Sequence, residues 1–303
     1  MHYVFLPTST LACLAFLGLT PMLYQQQLLL LMIMVATLGL PHGALDAFIA
    51  KQAGHWRTRL EFSTFVLIYL AIAIGIFGLW LLVPVLALPA FLLMSAWHFG
   101  EDWHGNSGAN NALQRWFFGG AVVSLPSLFH GQEVAAIYAI LAHTNVPWLA
   151  QIQGWLAPLL ALSLLVMTHD SLGNTPGLGW RWTELLALCA SAAVLPPLLY
   201  FALYFCCLHS PSHFFSVLSA ARKHQRLEAG IHGLVFTIGA LVLLGMLYHW
   251  ALPGLSFNSA SLHLVFVGLA ALTVPHILLL DLMPVRGFRL FSPRAAGFSQ
   301  ANI

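Results

Sequence analysis

Apolar runs of about 20 residues, separated by short polar breaks, follow one another along this chain. A helix needs about 20 residues to cross the ~30 Å hydrocarbon core of a bilayer, and it satisfies its own backbone hydrogen bonds there. The pattern predicts an all-α, polytopic membrane helical bundle. It has about ten transmembrane segments, at residues 3–24, 28–50, 62–82, 85–103, 116–142, 147–168, 183–197, 198–221, 231–250 and 260–283. The run 116–142 contains Pro126 and a polar stretch from His130 to Glu133, so it also fits two shorter helices.

The composition excludes most other classes of protein. Hydrophobic residues make up 60% of the chain and charged residues 7%, whereas soluble domains carry about 25% charged residues. This rules out a soluble enzyme, a disordered chain and a secreted disulfide scaffold. A net charge of +2, without basic runs interleaved with aromatic residues, predicts no nucleic-acid partner. Because no linker or long polar insertion interrupts the pattern, residues 1–303 are predicted to form a single integral-membrane helical domain.

The 11 basic residues all follow even-numbered segments of this series. They are Lys51, Arg57 and Arg59 after the second, Arg115 after the fourth, Arg181 after the sixth, Arg222, Lys223 and Arg226 after the eighth, and Arg286, Arg289 and Arg294 after the tenth. Cytoplasmic loops of membrane proteins carry an excess of lysine and arginine. The asymmetry therefore predicts a multi-pass protein of the cell (cytoplasmic) membrane with both termini in the cytoplasm.

Histidine is the unusual residue type here, since 15 histidines outnumber the 11 lysines and arginines together. Histidine is costly inside a bilayer and marks functional sites there. Five histidines lie well inside even-numbered segments, at His42, His98, His209, His213 and His276, whereas His263 lies close to the beginning of the tenth. Three of them stand nine or ten residues before a basic residue, which at ~1.5 Å per residue is roughly mid-membrane. Since the even-numbered helices run in the same direction, these imidazoles are expected to converge on a metal centre.

His209 and His213 form the most specific pair in this set. Four residues apart on a helix, they project from one face as paired metal ligands do. Pro211 between them removes a backbone hydrogen bond and is expected to kink the helix. Imidazole ligands without a thiolate suit iron, copper or zinc, so the ligand type leaves the metal open.

Carboxylates follow these histidines at short spacing, at Asp46, Glu101, Asp102 and Asp281. A metal-bound imidazole usually donates its other N–H group to a carboxylate, and anions near the ligands offset the charge of the ion. The four acids are therefore predicted to orient the ligands. Glu101 and Asp102 also fit the simpler role of polar caps at the membrane interface.

Aromatic residues surround the same positions. Most such rings serve ordinary helix packing, but apolar pockets for long substrates are also lined by aromatic side chains. A substrate channel is predicted from Trp97, Phe99, Trp103, Tyr204, Phe205 and Phe214.

Four motifs together resemble those of a known family. They are Pro41-His42-Gly-Ala-Leu-Asp46, Trp97-His98-Phe-Gly-Glu101-Asp102, His209-Ser-Pro-Ser-His213-Phe214 and Pro275-His276. In this combination the chain resembles the Brp/Blh family of bacterial and archaeal β-carotene dioxygenases. The resemblance implies a membrane enzyme with non-haem Fe(II) that cleaves the central 15,15′ double bond of β-carotene with O2. The products would be two molecules of all-trans-retinal, the chromophore of microbial rhodopsins.

The same resemblance implies roles for individual residues. Carried over position by position, it makes His42, His98, His209 and His213 the iron ligands. His276 belongs to a further motif and is placed beside the site, toward the ligands or the substrate.

Three other functions use histidines within a membrane. A histidine-box desaturase or hydroxylase would need more clustered histidines near the cytoplasmic face. A b-type cytochrome would bind haem between paired histidines and would show a Soret band. A metal transporter would use the histidines as a relay, and broken helices in inverted repeats would support that function.

Overall fold

The computed structural model describes residues 2–18, 22–103, 111–169, 178–251 and 254–282, and within them the chain is helical, without a β-strand. This confirms the predicted all-α class. The α-helices are α1 (His2–Gly18), α2 (Tyr24–Met34), α3 (Leu40–Gly43), α4 (Asp46–Ala53), α5 (Arg59–Leu82), α6 (Pro84–Phe99), α7 (Asn111–Phe129), α8 (Gly131–Leu141), α9 (Pro147–Thr168), α10 (Leu178–Val194), α11 (Pro197–Tyr204), α12 (Ser210–Ala220), α13 (Arg226–Ala251), α14 (Phe257–Leu262) and α15 (Gly268–Ile277).

Five helical runs in the described residues are long and apolar enough to cross a membrane, by length and composition. They are Arg59–Leu82, Pro147–Thr168, Pro197–Ala220, Lys223–Trp250 and Phe257–Leu280. Each overlaps one of the predicted segments. The total of ten segments and the cytoplasmic position of both termini stay predictions, and Arg286, Arg289 and Arg294 lie outside the described residues.

Two predicted segments are divided in the structure. The run 116–142 forms α7 and α8, with a break at His130 just after Pro126. The run 28–50 is not one regular helix, because the chain turns after α3 and resumes as α4. Pro41, within α3, has no amide hydrogen to donate to the carbonyl group of Thr37, which lies in the π-helical turn Val35–Gly39 before α3.

π-helical turns adjoin the helices that carry His42, His213 and His276. They are Val35–Gly39 between α2 and α3, Phe205–His209 between α11 and α12, His263–Val267 between α14 and α15, and Leu278–Leu282 after α15. The turn Phe205–His209 ends two residues before Pro211, and the kink expected at this proline stays a prediction. Such turns occur often at functional sites, and each changes which side chains share a helix face.

α6 and α7 cross with their backbones in contact. A Cβ atom built on Gly119 would lie 1.8 Å from the carbonyl oxygen of Ala96, and one on Gly100 would lie 2.1 Å from that of Arg115. Only glycine, which has no Cβ, allows two backbones to approach so closely. This crossing fixes the end of α6, which carries His98.

His209, His213 and His276 lie on central helices, and two other helices form the periphery. In the runs Pro197–Ala220 and Phe257–Leu280, 56% and 61% of the most apolar 18-residue stretch is buried. The corresponding shares are 17% for the α5 run and 6% for the α13 run. α5 and α13 therefore present most of their surface outward.

Candidate active site

Four of the predicted histidines come together in the interior. His98, His209, His213 and His276 are all buried. The Nε2 atoms of His98 and His209 are 3.1 Å apart. The ring of His276 lies 5.2 Å from that of His98 and 5.2 Å from that of His213, measured between centroids. Segments distant in sequence thus contribute to one group of imidazoles.

Asp102 orients the ring of His209. The Tyr204 hydroxyl donates to Asp102 Oδ2 at 2.7 Å, and Nδ1 of His209 lies 3.0 Å from the same oxygen. A carboxylate only accepts hydrogen bonds, so Nδ1 of His209 is the donor. This arrangement turns Nε2 of His209 toward His98.

The π-helical turn explains how Tyr204 and His209 reach the same oxygen. Residues five apart on a regular α-helix point about 140° away from each other. In the turn Phe205–His209, hydrogen bonds join residues five apart and bring such side chains to one side.

Asp46 orients a second ring in the same way. Nδ1 of His276 lies 2.7 Å from Asp46 Oδ1, and the Tyr69 hydroxyl donates to Asp46 Oδ2 at 2.8 Å. The same hydroxyl also lies 3.3 Å from the carbonyl oxygen of Leu272. The site therefore contains two Tyr–Asp–His triads, each with a carboxylate between a phenol and an imidazole.

Sequence reasoning missed Tyr69. It is the only tyrosine in α5, in the middle of an otherwise apolar segment. An isolated phenol at mid-helix was a usable signal, because a buried tyrosine hydroxyl needs a hydrogen-bond partner. Tyr204 is also one of the predicted channel residues, and its hydroxyl supports Asp102.

Two of the predicted site side chains lie outside the described part of the structure, those of His42 and Asp281. The backbone of His42 belongs to α3, which packs against α12 and α15. Among the described residues, no group of three or more His, Cys, Asp or Glu side chains has the arrangement of a metal site. The metal centre and its ligand set stay predictions.

Glu101 takes part in a different interaction. Its Oε1 lies 2.7 Å from an Arg115 guanidinium nitrogen, and Nε of Arg115 donates to the carbonyl oxygen of Trp97 at 2.7 Å. The guanidinium also stacks 3.8 Å above the Trp97 ring. Arg115 is thereby buried, although its charge suggested a position at the cytoplasmic boundary. These contacts tie the beginning of α7 to the end of α6.

The predicted channel residues occupy several environments. Phe99 and Phe205 pack against the His209 ring, at centroid distances of 4.9 and 5.9 Å. Trp103 lies further away, against Phe118 and Trp182. Phe214 packs on a separate cluster of buried side chains that includes Leu45, and Trp97 stacks on Arg115 as described above.

One cavity reaches the histidine group, and a second lies beside it. The larger, of about 400 Å³, is lined mainly by apolar side chains of α5, α13 and α15, and also by Tyr69, Asp46 and His276. The smaller, of about 100 Å³, is lined in part by Phe99 and Tyr204. None of the six predicted channel residues lines the larger cavity. Two of the helices that form its walls, α5 and α13, bear none of the motifs.

The model of a known protein family, described as β-carotene 15,15′-dioxygenase, matches residues 33–284. The chain belongs to this family. One relative, the β-carotene 15,15′-dioxygenase of uncultured marine bacterium 66A03, is 31% identical over 256 residues, which cover 82% of this chain and 90% of the relative. Another, the probable β-carotene 15,15′-dioxygenase Blh of Halobacterium salinarum, is 26% identical over 275 residues, with 79% of each chain covered. No solved structure gives a significant match.

Family membership confirms the resemblance read from the four motifs and the predicted enzyme class, a carotenoid-cleaving dioxygenase. The matched range contains both Tyr–Asp–His triads. Family membership therefore favours a carotenoid-cleaving dioxygenase over a desaturase, a cytochrome or a transporter.

Proposed function

We propose that this chain is an integral-membrane, non-haem iron dioxygenase that cleaves the central 15,15′ double bond of β-carotene with O2. The products are two molecules of all-trans-retinal. The observation that carries the proposal is the pair of buried imidazoles, His98 and His209, whose Nε2 atoms face each other at 3.1 Å while Asp102 holds the opposite nitrogen of His209.

This arrangement fits a divalent iron ion. Two nitrogens bound side by side to one metal at about 2.1 Å lie about 3 Å apart, close to the observed spacing. Imidazole nitrogens are common iron ligands, and Asp102 behind His209 fixes the tautomer of that ring, as carboxylates do in known metal sites. From the family motifs, His42, His98, His209 and His213 would hold the ion, with His276 beside them. When bound, Fe(II) would supply the redox-active centre that activates O2.

The protein's own groups do the positioning. Asp102 and Asp46 accept hydrogen bonds from the Nδ1–H groups of His209 and His276, so that both rings present Nε2 inward. Tyr204 and Tyr69 hold those carboxylates in place. The apolar walls of the larger cavity exclude water and hold a polyene against the imidazoles, which is the contribution that proximity makes to catalysis.

The reaction balances without a further cofactor. Each carbon of the cleaved double bond gains one oxygen atom of O2, so the C=C and O–O bonds break and two C=O bonds form. Since the polyene supplies the electrons, neither a nicotinamide nor a flavin is required.

A location in the cell membrane follows from the substrate as well as from the helices. β-Carotene dissolves in the hydrocarbon core, and five helical runs are apolar and long enough to surround it there. An enzyme within the bilayer meets the substrate without extracting it into water. Retinal released into the same membrane would be available to a microbial rhodopsin.

The proposal is tested by expressing the chain in a bacterium that accumulates β-carotene and extracting the pigments. Wild type should replace carotene by retinal, and His98→Ala and His209→Ala should abolish this change while leaving the protein in the membrane. His55→Ala and His224→Ala are the matched controls, because both side chains are exposed, that of His55 after α4 and that of His224 in the short 3-10 helix before α13. Unchanged carotene beside correctly inserted wild-type protein would refute the activity.

Two further measurements test the mechanism. Purified protein should contain about one iron per chain without a Soret band, and His209→Ala should contain less. Under ¹⁸O2 each retinal molecule should acquire one labelled oxygen, provided that exchange with water is corrected by an unlabelled retinal control. Label from water alone, or cleavage without O2, would contradict the dioxygenase reaction.

A further inference from the structure

The larger cavity runs from the outer surface of the helical bundle to the histidines. Its outer residues on α13 are exposed, with Val235 at 58%, Val242 at 53% and Met246 at 57% of their full accessible surface. Its inner residues Asp46 and His276 are only 3% and 2% exposed. The cavity is therefore a cleft, open on one side and closed at the site.

The walls of this cleft are the two peripheral helices. Phe65, Val66 and Leu70 of α5 face Phe236 and Leu243 of α13 across it. α5 and α13 are also the least buried of the five apolar runs, so in a bilayer the mouth of the cleft would meet lipid tails and not water.

We infer that the cleft between α5 and α13 is the lateral entrance through which the carotenoid passes from the bilayer to the site, and that it holds one half of the bound substrate. This inference rests on the proposed function and adds the route and the helices that form it. The occupant is a long apolar chain, because the walls are aliphatic and aromatic and the polar groups lie at the inner end. A symmetric polyene seated there would place one end toward lipid and its central bond toward His276.

Gly239 is a position at which a larger side chain would close the cleft. It lines the cleft on α13, and a Cβ atom added there would meet nothing within 4 Å. A phenylalanine at this position should fill the passage without displacing a packed neighbour. Gly245 is the matched control, because it lies on the same helix, also has open space at Cβ and does not line the cleft.

The experiment compares Gly239→Phe with Gly245→Phe in the full-length protein. Two quantities are measured: retinal formation by the iron-loaded enzyme, and β-carotene retained per chain by iron-depleted protein purified under nitrogen. Gly239→Phe should lower both at least tenfold, while Gly245→Phe should stay within twofold of wild type. Retention of both quantities by Gly239→Phe would overturn the inference.

A second pair of variants covers the case in which Gly239→Phe does not fold. Val66→Trp fills the cleft from the α5 wall, and Ile68→Trp places the same side chain on an exposed position of α5 outside it. Equal carotene binding by these two variants would also overturn the inference. If wild type binds carotene but forms no retinal, and only the cleft variants lose the pigment, then the proposed function fails while the entrance stands.

Discussion

The crossing of α6 and α7 allows the position of His98 to be perturbed without touching the site. In Gly119→Ala, the new Cβ would lie 1.8 Å from the carbonyl oxygen of Ala96 and 2.6 Å from the backbone nitrogen of Gly100. Both contacts are with backbone, which cannot rotate away as a side chain can. Because His98 lies between Ala96 and Gly100, the stretch that must move carries the proposed ligand.

The size of the effect follows from this geometry. Ordinary contacts of a Cβ begin near 3.4 Å, so the helices must separate by about 1.6 Å to accept the methyl group. A misplacement of about 1 Å at a catalytic group can lower the rate about 100-fold. Overpacking of this kind also costs about 1–3 kcal/mol in the free energy of unfolding. We therefore expect retinal formation to fall about 100-fold or more in a protein that is destabilised but folded.

Gly120→Ala is the control, because the nearest atoms to its new Cβ all belong to the side chain of Leu160, with Cδ1 at 2.9 Å, and that side chain can rotate. Initial rates of retinal formation are measured in detergent by chromatography, and unfolding is followed by thermal melting of the same samples. Iron content per chain distinguishes a lost ligand from a displaced one. If Gly119→Ala forms retinal within twofold of Gly120→Ala, the crossing does not position His98 and the reasoning is wrong.

Three other predictions follow from the site and the topology. Asp46→Asn replaces the carboxylate that accepts a hydrogen bond from His276, and retinal formation should fall about 10–100-fold at unchanged expression. Full activity with normal iron content would exclude an orienting role for Asp46. Tyr69→Phe removes one hydrogen bond to that carboxylate, worth about 1.5–3 kcal/mol, so kcat should fall about tenfold or more with little change in KM. An effect confined to KM would place Tyr69 in substrate binding instead. A reporter fused after residue 226 should read cytoplasmic and one at Gly254 external, because α13 lies between them; the same side for both would contradict a spanning α13.

Local spacing was enough to predict much of this protein. Long apolar runs predict helices because a chain in hydrocarbon must satisfy its backbone hydrogen bonds internally. The bounds of α9, for example, agree closely with the predicted segment 147–168. Histidines within even-numbered segments pointed to the interior group, and four of them lie together in the described structure. These features depend on residues close in sequence or on a composition that every part of a segment shares.

The family could also be identified from the sequence, since its motifs are short and contiguous. The matched range 33–284 contains each of the four motifs. What the motifs do not specify is the partner of each polar group. Glu101 and Asp102 are adjacent, yet one binds Arg115 and the other joins Tyr204 to His209.

Only the tertiary structure decided the contacts between distant helices. His276 and Asp46 are 230 positions apart, and Tyr69 donates to the same aspartate from a helix without a motif. π-Helical turns add to the difficulty, because each rotates the following residues away from the faces that a 3.6-residue period predicts. The cleft between α5 and α13 could not be predicted from sequence either, because the sequences of these two helices resemble those of any lipid-facing helix. The sequence determines which residues are apolar and which can bind a metal, whereas helix rotation and packing decide which of them meet.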